Sequence, residues 1–115
     1  MVKIVVRLIK MNTQEIIIGA KAILTGLFEY NNQTDELDDS FFIPMIKACI
    51  QKLIEHVEEI GASGEEKKEI YENLFEHAIE EYTKEWISNI TENFENVDIE
   101  KEKKVAREEF ISYYE

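Results

Sequence analysis

Residues 63–94, SGEEKKEIYENLFEHAIEEYTKEWISNITENF, contain no proline and no glycine after Gly64. Within them apolar side chains recur at Ile70, Leu74, Ala78, Tyr82, Trp86, Ile90 and Phe94, with Tyr71, Phe75, Ile79 and Ile87 alongside. That spacing belongs to one face of an α-helix, and it lacks the alternation of a strand. Ser63 followed by Glu66 is a capping box, in which the hydroxyl accepts from the Glu66 amide and the carboxylate reaches back to the cap amide. Glu65 and Glu66 also sit in the first turn, where the helix dipole favours carboxylates. One long helix is expected, with the rest of the chain packed around it. Steps of four overshoot a 3.6-residue turn, so the stripe drifts by ~40° per step, and either a partner that follows it crosses at an angle or different partners cover its two ends.

The flanking segments read as shorter helices. Asn12 and Glu15 mark a helix start, with Met11 and Ile16 placed to staple across it, and the helix is expected to run to about Tyr30 before Asn31 and Asn32 turn it. Residues 31–40, NNQTDELDDS, form an acidic, solvated linker with Asp39 or Ser40 as the next cap. Their carboxylates lack the spacing, central glycine and terminal Glu of an EF-hand. Pro44 fits the first turn of a helix whose apolar stripe is Ile46, Cys49, Ile50, Leu53, Ile54, Val57 and Ile60, ended by Gly61. So short a connection to Ser63 makes these two helices antiparallel neighbours. Asp98 can cap a last helix, docked by Phe110, Tyr113 and Tyr114 near Trp86. The expected fold is all-α: one domain, a small bundle of about four helices. Residues 1–10, MVKIVVRLIK, read as a short strand pairing with its copy, as a helical extension, or as unstructured.

At 115 residues the chain can bury a core without disulfides or metal. Its single cysteine, Cys49, suits a reducing compartment and, among apolar neighbours, reads as a buried thiol. The most apolar run, residues 16–28, is too short to span a membrane and is split by Lys21. A cytoplasmic protein is expected. The net charge of −12 argues against direct binding of nucleic acid or an anionic membrane, both of which need a positive patch. Residues 1–33 carry four basic and two acidic side chains, whereas residues 34–96 carry five and seventeen. The negative field therefore originates in the middle of the chain.

No nucleophile elbow, glycine-rich phosphate loop or zinc-like cysteine spacing is present. His56 with Glu59 and His77 with Glu80 suggest metal ligands, but across an antiparallel turn the two histidines are ~13 Å apart along the axis. His77 falls with Asn73, Glu81 and Lys84 in a set expected to face solvent, and the expected core faces hold no carboxylate. No metal, cofactor or enzymatic activity is expected. A metal-dependent hydrolase, drawing on Glu55, Glu58, Glu59 and Glu76, ranks third among the functional readings.

Two features remain. Glu65, Glu69, Glu72, Glu76 and Glu80 form one ridge on the first half of the long helix, with neighbours ~5–6 Å apart, near the spacing of phosphates along a strand. Such a ridge suits a basic protein partner approached under electrostatic steering. By charge and size alone, nucleic-acid-mimic inhibitors of the phage type and immunity or antitoxin proteins are analogous bodies. Gly19, Ala22 and Gly26 share one face of the first helix, where close packing within the fold is expected. The alternative is a homodimer contact, giving a homo-oligomeric structural module.

Overall fold

A computed structural model of the chain describes residues 12–115, so the strand or helix expected for residues 1–10 and the staple at Met11 lie outside the described residues. Four helices follow one another: α1 (Thr13–Thr34), α2 (Asp39–Glu59), α3 (Gly64–Asn93) and α4 (Ile99–Tyr114). There is no strand among the described residues. The fold is a small all-α bundle, and none of its helices is long and apolar enough to cross a membrane among the described residues.

The long helix forms as its sequence dictates. Ser63 Oγ accepts from the Glu66 amide at 3.1 Å while the Ser63 amide donates to Glu66 Oε1 at 3.0 Å, completing the capping box. α3 then runs for 30 residues, ~45 Å, and packs against all three other helices. Thr13 bonds Glu66 and Thr25 bonds Glu81, so α1 runs parallel to α3. Lys67 pairs with Glu58 and Tyr82 bonds Asp39, so α2 runs antiparallel to it. Arg107 bonds Glu76 and Trp86 bonds Glu102, so α4 is antiparallel too.

Between α2 and α3, Gly61 adopts φ +96°, its amide donates to the Glu58 carbonyl, and the Ala62 amide donates to that of Val57. These two bonds are the Schellman ending a left-handed glycine allows. The core joins Ile17, Leu24 and Phe28 of α1, Ile43, Ile46 and Ile50 of α2, Ile70, Leu74 and Ala78 of α3, and Ala106 and Phe110 of α4. Phe110 docks α4 by meeting Tyr82 at 5.6 Å and Phe75 at 6.0 Å between ring centroids. Trp86 meets α4 through its indole N–H, which donates to Glu102 at 2.9 Å.

Several local expectations are corrected. α1 continues to Thr34 instead of stopping near Tyr30, because the Asn31 side chain bonds both the amide and the carbonyl of Leu37, supporting the connection beyond the helix. α2 begins at Asp39, with Asp38 as its cap residue, so Pro44 is the sixth helical residue and not part of the first turn. Cys49 is exposed, not buried, and Ile60 and Phe94 also face water. α1 and α2 meet edge-on at Phe28 and Phe42 beside their connection. Elsewhere a groove of about 310 Å³ opens between them, floored by Leu24, Ile50 and Leu74.

Candidate functional site

All five ridge glutamates are exposed, on the side of α3 that faces away from α2. Their surroundings differ. Glu65 and Glu72 stand at the start of the ridge, with Lys68 3.9 Å from Glu72 in a solvated pair. Glu69 accepts from the Gln14 side chain at 2.9 Å. Glu76 is different, because Arg107 of α4 grips it with two bonds of 2.9 and 2.7 Å. The guanidinium, chiefly through its hydrogen bonds, holds the Glu76 carboxyl below the usual carboxylate range against the opposing effect of burial. The ridge is therefore not the unbroken row of free carboxylates expected from sequence.

Beyond Glu76 the surface is of mixed charge. A groove of about 860 Å³ between α3 and α4 has Ile79, Thr83 and Ile87 on one wall and Lys103, Lys104 and Arg107 on the other. Glu80 enters this mixed-charge groove, with its carboxylate 4.0 Å from His77 Nδ1. What remains acidic and open is the first half of the ridge: Glu65, Glu69 and Glu72.

A polar cluster lies inside the α1–α3 interface, although the expected core faces hold no carboxylate. Glu81 is buried to 8% exposure, and its Oε1 accepts from Thr25 Oγ1 at 3.2 Å and from Lys84 Nζ at 3.3 Å. Thr25 Oγ1 also lies 2.8 Å from His77 Nε2. One hydroxyl has one proton, so both contacts are met when Thr25 donates to Glu81 and accepts from His77 Nε2–H. The expectation that His77 and Glu81 face solvent is thus overturned, as is a core face without carboxylates. The signal was present: Glu81 lies seven residues beyond Leu74 and three beyond Ala78, within the buried arc. Following steps of four to Tyr82 passes over it.

A third feature could not be read from sequence because three segments build it. Asp35 and Asp38 from the α1–α2 connection and Asp39 at the start of α2 join Glu85 of α3 around a hollow of about 300 Å³ that Tyr82 and Trp86 also line. Tyr82 donates to Asp39 at 2.9 Å. Burial first, and the Asp39 carboxylate second, push the Tyr82 phenol well above its ordinary range. Four carboxylates in one concavity repel anions and attract cations.

The described residues contain no group of three or more His, Cys, Asp and Glu arranged to hold a metal ion. Gly19, Ala22 and Gly26 do not pack within the fold as expected: they are exposed, and a Cβ at either glycine would meet nothing within 4 Å. Comparison with protein-family models, with curated proteins and with solved structures finds no match for this chain.

Proposed function

We propose that this protein is a small interaction protein that binds a basic protein partner, and inhibits or regulates it, through the outer face of α3. Glu65, Glu69 and Glu72 are the contact residues. The reading rests on one observation: the outer face of α3 presents these carboxylates to water while its other faces are covered by α1, α2 and α4. A rigid helix holds them at fixed spacing, so docking requires little ordering of the binding surface. With a net charge of −12, encounter with a basic surface is steered and the association is salt-sensitive. Glu76 is excluded from the contact set because its charge is already matched by Arg107.

Affinity capture from the native host at low and high salt tests this. The wild-type chain captures a basic protein at low salt and releases it at high salt. A triple variant with Glu65→Lys, Glu69→Lys and Glu72→Lys loses the capture with its helicity unchanged. A matched variant reversing Asp35, Asp38 and Glu85 in the hollow keeps it. Undiminished capture by the ridge variant would sink the assignment of this face.

A further inference from the structure

Residues 1–11, MVKIVVRLIKM, are apolar at eight of eleven positions. The other three, Lys3, Arg7 and Lys10, are basic, and none of the chain's 25 acidic side chains falls among them. Apolar side chains at that density gain by leaving water. The described helices leave an apolar recess uncovered beside the point where this segment joins them. The α1–α2 groove begins at Glu15 and Ile16, one turn after Asn12, and runs to Ile23 and Cys49 over its floor of Leu24, Ile50 and Leu74. Ile23 is 66% exposed, and the single charged side chain lining the groove is Glu15.

We propose that residues 1–11 of the same chain fill this groove, doubling back along α1 from Asn12 with their apolar side chains on its floor and their cations at its acidic end. Size, charge and connectivity select this occupant. An apolar cavity of ~150 Å³ takes one benzene-sized group, so a groove of about 310 Å³ takes the few side chains that one face of a short segment supplies. Residues 15–24 of α1 cover ~14 Å of helix axis, a distance spanned by about four extended residues or about nine helical ones. Eleven residues therefore suffice in either conformation.

The charges match as well. α1 starts beside the end of α2, since Thr13 bonds Glu66 where Lys67 pairs with Glu58. Glu55, Glu58 and Glu59 line an open recess at that end, and the dipole of α2 adds negative charge there. Lys52 and Lys67 offset Glu55 and Glu58, whereas no ion pair among the described residues engages Glu15 or Glu59. The ridge is also close to the start of α1, through Gln14 and Glu69, but it has no apolar floor to receive the segment. Joined directly to α1, the segment meets the groove at an effective concentration of roughly millimolar, which favours it over a second copy or a separate protein.

Cys49, left exposed by the four helices, reports the occupancy. Ile4→Asp with Leu8→Asp, made in the full chain, puts charge on one face of the segment whether it is helical or extended. If the wild-type segment is docked for about nine-tenths of the time, the variant's Cys49 reacts with a maleimide roughly tenfold faster, with far-UV circular dichroism showing α1–α4 retained. Val2→Cys, Val5→Cys and Val6→Cys keep the segment apolar, and oxidation of these variants in turn should give at least one intramolecular disulfide to Cys49. Equal labelling rates in wild type and the aspartate variant overturn the proposal. So does the absence of an intramolecular disulfide at all three positions. Disulfides that form only between chains overturn it too, by giving the groove to the segment of a second copy. These readouts are separate from the ridge, whose test is capture of a basic partner.

Discussion

Glu81 shows how much one hydroxyl can matter. Its carboxylate is nearly out of water, and Thr25 and Lys84 are its hydrogen-bond donors, the latter on a largely exposed side chain. Thr25→Val keeps the shape of the residue and removes the α1 donor, leaving a buried carboxylate under-satisfied. The expected loss is about 1–3 kcal/mol, read as a lower urea midpoint with unchanged slope, and Thr25→Ser should recover most of it. Sequence alone placed Glu81 with solvent-facing residues because acidic side chains usually face water. Only the docking of α1, which supplies Thr25, makes the buried position tolerable.

At the scale of the element, α4 is held by two kinds of contact of unequal weight. Phe110 is fully buried among Phe75, Tyr82 and Tyr114, so Phe110→Ala is expected to cost about 3–5 kcal/mol. The Arg107–Glu76 clasp is solvated on both sides, and Arg107→Ala should cost at most about 1 kcal/mol. Because the folded Glu76 carboxyl is depressed, that contribution is present above the unfolded value of about 4.3 and fades as pH falls through the folded value. Unfolding of wild type and Arg107→Ala at pH 7 and near pH 3 should therefore show their difference shrinking in acid. The docking of α4 by aromatic residues was legible from Phe110 and Tyr114. The clasp was not, because it joins residues 31 positions apart whose pairing depends on how α4 lies along α3.

Across the whole molecule the distribution of charge and of buried hydroxyls sets the response to alkali. Tyr82 ties α3 to α2 through Asp39, and its phenol is raised in the folded state by burial and by that carboxylate. An unfolded tyrosine ionises at about pH 10. The Tyr82 contribution is thus complete below that pH and is lost as pH rises above it, because the unfolded state releases the proton first. Tyr82→Phe should flatten the fall in melting temperature above about pH 10, measured against wild type at matched salt.

The sequence by itself determined the helices. The Ser63–Glu66 box, the Gly61 stop and the spacing from Ile70 to Phe94 are local, and local hydrogen bonds and side-chain periodicity are enough to fix a helix and its caps. Tertiary structure decided which outward residues stayed outward. It gave Glu76 to Arg107, buried Glu81 behind Thr25, gathered three aspartates with Glu85, and left Cys49 and the Gly19–Gly26 face in water. Each of these outcomes depends on which helices lie side by side and at what height. Spacing along one chain segment does not encode that, because the same face can meet a neighbour, a second molecule or solvent.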